Sequence, residues 1–124
     1  MTKIFIDPGH GGNDPGAVAN GLQEKVLVLK IAQYMKELLA DYEGVQVKMS
    51  REKDVFISLS ERARLANSWG ADYFVSVHVN AGGGTGFESF VHTSQASRTV
   101  ALRNVVHDEI MKALGPDVRD RGKK

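Results

Sequence analysis

The sequence predicts an α/β fold, a three-layer sandwich around a mostly parallel central sheet. Short β-branched and aromatic runs alternate along the chain with amphipathic stretches of helical period, as a sheet with crossover helices requires. One of these runs, Tyr73 to Val79, is nearly continuous in apolar residues, the pattern of a strand covered on both faces. The runs feed glycine-rich segments, and in open α/β sheets ligands bind beyond the carboxyl ends of the strands.

The elements follow in order. Lys3 to Asp7 (KIFID) is a first strand that stops at Pro8-Gly9. The loop from His10 to Gly21 carries Gly11, Gly12, Gly16 and Pro15 and reads as a site loop or a long turn. From Leu22 to about Asp41, Leu27, Ile31, Met35 and Leu38 recur at helical spacing, flanked by Val28, Ala32 and Leu39. Gly44 ends that segment, and Val45 to Met49 alternates as a short strand near a sheet edge. A second helix fits Leu59 to Trp69, stopped by Gly70, and Tyr73 to Val79 follows as a central strand ending at His78. A loop with Gly82, Gly83, Gly84 and Gly86 precedes a fourth strand, Phe87 to Val91, and Ser97 to Leu114 forms a third helix.

A chain of 124 residues is long enough for one small domain with its core, so residues 1–124 are expected to form a single domain. Sixteen basic against fifteen acidic residues leave a net charge of +1, with no basic stripe and no interleaved aromatics, so nucleic-acid binding is not expected. No apolar stretch approaches the roughly 18 residues that span a bilayer, and the start, MTKIFIDPGH, carries no signal peptide. Without cysteine, any metal must be held by His, Asp or Glu.

The strand-end rule selects three such residues. His10 follows the first strand, Glu24 opens the first helix and His78 ends the third strand, so all three can meet at one rim. Two histidines and a carboxylate suit Zn²⁺ in a hydrolase, where three protein ligands leave a fourth position open. Each residue also has a plainer reading. His78 alone resembles a core histidine, Glu24 alone a first-turn carboxylate facing the helix dipole, and His10 a turn residue. The run GHGGNDPG lacks both the Lys-Ser/Thr ending of a phosphate loop and the GxGxxG spacing. His92 and His107 read as structural or solvated, and Arg51, Arg62 and Arg64 most simply as a solvated face, with Arg62 the one that can point into the rim.

Four blocks carry a family resemblance: IDPGHGGNDPGA with His10, GLQEK with Glu24, SLSERARLAN from Ser58 to Asn67, and SVHVNA with His78. Their order and context resemble the amidase-3 cell-wall hydrolases, N-acetylmuramoyl-L-alanine amidases of the kind found among autolysins and sporulation or phage lysins. The resemblance implies the α/β form shared with zinc-dependent exopeptidases, Zn²⁺ held by His10, Glu24 and His78, and hydrolysis of the amide between N-acetylmuramic acid and L-alanine in peptidoglycan. Arg62 and Asn67 match the family's SLxxRxxxAN block and are expected to support the rim or the substrate, and Asn80 to fix the strand end behind a ligand. The family pattern continues into a further strand bearing a glutamate that resembles the general base, whereas this chain stops at Lys124. The expectation is therefore a C-terminally incomplete catalytic domain without that base. Glu88 is the one tempting substitute, although the motif does not place the base there. The alternatives are a zinc peptidase or deacylase on the same scaffold, or an inactive fragment that binds cell wall. Peptidoglycan as substrate implies an extracytoplasmic site of action, reached by export or after lysis, and a fused wall-binding module outside this chain is compatible with it.

Overall fold

A computed structural model of the chain describes residues 1–80 and 84–124; Gly82 and Gly83 of the expected glycine loop lie outside the described residues. The chain divides into two compact units, Met1–Ala81 and Gly82–Lys124.

In the first unit, β1 (Thr2–Pro8) lies between β4 (Val45–Met49) and β5 (Tyr73–Val77), parallel to both. Ile4 is level with Val47 and Tyr73, and Ile6 with Met49 and Val75. Side chains alternate across a strand, and β1 uses both faces. Ile4 and Ile6 pack with Ala32, Leu29, Met35 and Leu39 of α1 (Glu24–Leu39). Phe5 points the other way, stacked on Phe74 with ring centroids 5.6 Å apart and 6.4 Å from Trp69 of α2 (Leu59–Trp69). Helix, parallel sheet and helix make this unit a three-layer α/β arrangement. Among the strands of this sheet the central one is β1 and not β5, whose half-buried residues alternate with exposed ones. The run Tyr73 to Val79 contains enough apolar residues to look covered on both faces, but on this end strand Phe74 and Ser76 stay exposed.

The face of α1 also differs from the expected one. The buried positions are Glu24, Val28 and Ala32, with Met35 and Leu39 continuing the stripe, while Ile31 and Leu38 are exposed, Leu38 at 67%. The helix is thus rotated by one residue, about 100°, from the face that hydropathy alone selects. Ala32 explains the choice, since its small side chain lets the helix axis approach Ile6 and Met49 closely.

Helix α2 is set by its ends. The Ser58 hydroxyl accepts the Glu61 amide at 3.2 Å, and Gly70 adopts a left-handed conformation (φ 79°) in which its amide reaches the Asn67 carbonyl. Ahead of α1 the chain makes a small hairpin, β2 (Val18–Ala19) with β3 (Leu22–Gln23), absent from the sequence-based expectation. Its two turn residues, Asn20 and Gly21, both have positive φ, as a tight type I′ turn demands.

The second unit contains β6 (Phe87–Ser89), α3 (Ser97–Leu114) and β7 (Asp120–Lys123), with β6 and β7 parallel. Strand β7 was not anticipated, because DRGK has no strand-like composition. Here the fully buried His107 donates from Nε2 to the Asp120 carboxylate at 2.9 Å and meets the Ser89 hydroxyl through Nδ1 at 2.8 Å, tying α3 to both strands. His92 is exposed and accepts the Ser94 amide.

Candidate metal centre

The carboxyl end of β1 leads into a loop that three buried polar side chains shape from beneath. Asp7 is the hub: one carboxylate oxygen accepts the Ser50 hydroxyl (2.7 Å) and Arg62 Nη1 (2.8 Å), the other the Ser76 hydroxyl (2.8 Å). Arg62, 4% exposed, also donates to the carbonyls of Ile57, Pro8 and His10 at 2.7–2.8 Å. Arg51, 3% exposed, donates to the carbonyls of Pro8, Gly9, Lys25 and Lys53. The carbonyls of three successive residues are thereby fixed by guanidinium groups. This corrects the reading of Arg51 and Arg62 as a solvated face; only Arg64 is exposed, paired with Glu61. Arg62 lies beneath the loop, where its contacts are to the Asp7 carboxylate and to backbone carbonyls.

On this base the loop brings His10, Glu24 and His78 together, with one ligand-type atom of each within 4.8 Å of the others. His10 adopts a positive φ of 61°, costly for a residue with a side chain and sustained here by Arg62 on its carbonyl. Glu24, at the first position of α1, is 6% exposed. Its Oε1 accepts the Ala17 amide at 3.0 Å and its Oε2 the Val79 amide at 2.9 Å. The same Oε2 lies 3.0 Å from His10 Nε2 and 3.2 Å from His78 Nδ1. Two imidazole nitrogens thus converge on one carboxylate, with the rings at 85° and 5.1 Å apart.

Glycine makes that approach possible at two points. A Cβ on Gly9 would lie 2.3 Å from His78 Cε1, and one on Gly16 2.7 Å from His10 Cδ2 and 2.8 Å from Glu24. Gly16 also has a φ of +69°, which side-chain-bearing residues rarely adopt.

The loop is closed by charges that the sequence reading passed over. Asp14 accepts His10 Nδ1 at 2.9 Å and the Gly16 amide at 3.1 Å, and its backbone pairs with Gly11. Asp54 accepts the Gly12 amide at 2.7 Å and Lys25 Nζ at 2.9 Å, and Lys25 donates also to the Gly12 carbonyl. The signal for Asp14 was its position four residues after His10 in the same short loop. For Lys25 and Asp54, 29 residues apart, there was none.

The other anticipated residues lie elsewhere. Asn80 is exposed, two residues past His78 and next to the Val79 amide that holds Glu24. Asn67 is exposed near the end of α2, lining a cavity of about 270 Å³ with Ala71, Asp72 and Phe74, at the end of β5 opposite His78. That place does not suit a contact at the rim. Glu88 sits on β6 in the second unit, where it pairs with Arg121 at 3.3 Å and Lys124 at 2.9 Å.

Burial alone would raise the Glu24 carboxyl, but the Ala17 and Val79 amides and the two histidines outweigh it and hold it below its ordinary range. The His10 ring and the Gly16 amide lower Asp14, and Lys25 with the Gly12 amide lowers Asp54. A carboxyl depressed in the folded state adds stability above its unfolded value and loses it as pH falls through the folded value. Urea midpoints of the metal-free chain are therefore expected to hold down to about pH 5 and to drop by pH 3. An unchanged midpoint at pH 3 would contradict the assigned carboxylate contacts.

The donor set fits a metal ion. It offers two imidazole nitrogens and a carboxylate, contains no sulfur, and gathers one ligand atom of each residue within 4.8 Å of the others. Fold and site thus define an α/β protein with a His–Glu–His candidate metal centre at the carboxyl rim of a parallel sheet.

Residues 4–124 match the family described as N-acetylmuramoyl-L-alanine amidase (Amidase_3), and the chain belongs to that family. It is 52% identical over 125 residues to a sporulation-specific N-acetylmuramoyl-L-alanine amidase of Bacillus subtilis (strain 168), covering all of this chain and 48% of that one. It is 48% identical over 129 residues to the endolysin of Bacillus phage SPP1, again covering 48% of the relative. The crystal structure of an N-acetylmuramoyl-L-alanine amidase from Clostridium difficile 630 superposes with a TM-score of 0.93 at 38% identity, covering 98% of this chain and 68% of that one. The chain spans about half the length of the two relatives matched by sequence. Among the described residues no helix is long and apolar enough to cross a membrane.

Proposed function

We propose that this chain carries the zinc-binding part of an N-acetylmuramoyl-L-alanine amidase, acting on the amide between N-acetylmuramic acid and the L-alanine of the stem peptide in peptidoglycan. The observation that carries the proposal is the convergence of His10 Nε2 and His78 Nδ1 on the Glu24 carboxylate, in a chain whose family match runs from residue 4 to 124. That match runs through both compact units and supports reading residues 1–124 as parts of one catalytic domain.

In this proposal His10, Glu24 and His78 hold Zn²⁺, which when bound supplies Lewis acidity toward an amide carbonyl and makes water more acidic. The protein's own share is to keep the three donors in place. The Ala17 and Val79 amides fix both oxygens of Glu24, while Arg51 and Arg62 hold the carbonyls of the loop that presents His10. His78, 41% exposed, and the half-buried His10 leave the group open to a large substrate on one side. Glu88 is not proposed as the general base, because Arg121 and Lys124 already engage its carboxylate. Substrate in the cell wall places the action outside the cytoplasm, in keeping with relatives named as sporulation amidase and endolysin. A fused wall-binding module fits the greater length of those relatives.

The test is zinc content by elemental mass spectrometry, followed by incubation with purified sacculi, muropeptides and plain peptides. One zinc per chain, lost in Glu24→Ala, is the expected result, and any new L-alanine amino groups should come from muropeptides and not from plain peptides. Absence of zinc from the wild-type chain would end the ligand assignment, and equal cleavage of plain peptides would make it a peptidase.

A further inference from the structure

This inference rests on the reading of His10, Glu24 and His78 as metal ligands. We infer that Asp14 is a positioning residue that fixes the His10 imidazole in both orientation and tautomer, with the proton on Nδ1 and the Nε2 lone pair left for the metal.

His10 Nδ1 lies 2.9 Å from Asp14 Oδ2, while Nε2 lies 3.0 Å from Glu24 Oε2 inside the ligand group. Both partners are carboxylates, which only accept hydrogen bonds, but Nε2 lies inside the ligand group; with its lone pair given to the metal, the single proton of the neutral imidazole is left on Nδ1, where Asp14 accepts it. His10 then ligates through Nε2. His78, whose Nδ1 faces Glu24, uses the other type of nitrogen. The two histidines are thus chemically distinct, and His10 Nδ1 has the Asp14 carboxylate behind it.

Asp14 is itself held in place. Its amide donates to the Gly11 carbonyl at 3.0 Å, its carbonyl accepts the Gly11 amide at 2.8 Å, and its Oδ1 accepts the Gly16 amide. Each carboxylate oxygen has a separate task, one closing the turn and the other aiming the ring. Carboxylates placed behind metal-bound histidines commonly affect metal affinity by about 10- to 100-fold.

Two substitutions separate these tasks. Asparagine has one acceptor oxygen for two donors, the Gly16 amide and His10 Nδ1–H, so either the turn or the tautomer loses its partner. Serine keeps an acceptor for the Gly16 amide, as Ser does in such turns, but does not reach the ring. A role confined to the turn predicts that Asp14→Ser restores wild-type behaviour; a role in aiming His10 predicts that it does not.

The experiment measures zinc affinity by competition with a chromophoric chelator for wild type, Asp14→Asn, Asp14→Ser and Glu24→Ala, with far-UV circular dichroism to establish folding. Long-range ¹H–¹⁵N spectra of the zinc-loaded wild type then report which nitrogen of His10 carries the proton. The expected result is one tight zinc in wild type, none in Glu24→Ala, affinity about 10- to 100-fold weaker in both Asp14 variants, and a proton on His10 Nδ1. Wild-type affinity in a folded Asp14→Ser, or a His10 proton on Nε2, overturns the inference while leaving the ligand assignment standing. If neither variant folds, the spectrum of the wild type decides alone. Zinc that fails to bind wild type, or that survives Glu24→Ala, removes the ligand assignment and this inference with it.

Discussion

Arg62→Met is expected to destabilise the chain by about 3–5 kcal/mol, because it leaves the Asp7 carboxylate buried without its guanidinium partner. Both side chains of that pair are nearly inaccessible, so water cannot substitute for the lost charge. The same change removes a hydrogen bond from the carbonyls of Ile57, Pro8 and His10, leaving that of Pro8 with Arg51 alone. Urea unfolding at neutral pH measures the effect. Arg64→Met, two residues away on the exposed side of the same helix, is the control and should leave the midpoint nearly unchanged. Equal midpoints for the two variants would mean that the Arg62 contacts add nothing beyond those of a surface charge.

The second large effect is expected at Gly9. A methyl group there would stand 2.3 Å from His78 Cε1 and under 3 Å from both ring nitrogens, so the ring must leave its place. Gly9→Ala should lower zinc affinity by on the order of 100-fold or more, since it displaces one of the three proposed ligands and not merely a supporting group. Its effect on folding should be smaller, because the displaced ring is partly exposed and has room to turn outward. Paired zinc titration and urea unfolding separate the two quantities. Wild-type zinc affinity in Gly9→Ala would show that His78 does not bind through the geometry seen here.

How far these features were legible in the sequence depends on whether their causes are local. The ends of α2 were readable because Ser58 and Gly70 act on the backbone next to them, and β4 because VQVKM alternates between turn residues. The face of α1 was misread because it carries two apolar stripes, and the choice between them is made by how closely Ala32 lets the helix approach β1. The edge position of β5 depends on its neighbours and not on its own composition. The β2–β3 hairpin was within reach, since Asn20-Gly21 is a strong turn signal, but strands of two residues offer no periodicity.

At the site, His10, Glu24 and His78 were legible because a general rule about strand ends and helix starts selects them. Arg51 and Arg62 were not, since an arginine in a polar stretch is solvated by default. Only the folded chain shows that the strand-end loop turns its carbonyls inward and needs buried cations to receive them. Asn67 was carried by its motif alone, and the structure places it at the far end of β5.

Strand β1 runs between two strands and under two helices before it delivers His10, and that placement bears on time as well as on shape. Segments held by core contacts on every side open only with the molecule as a whole, whereas loop tips fray on their own. Amides of Phe5 and Ile6 should therefore exchange with solvent about as slowly as global unfolding permits. His10 begins one short step beyond that protected stretch, so its anchor resets rarely and the geometry at the rim outlasts the fraying of the loop tips around it.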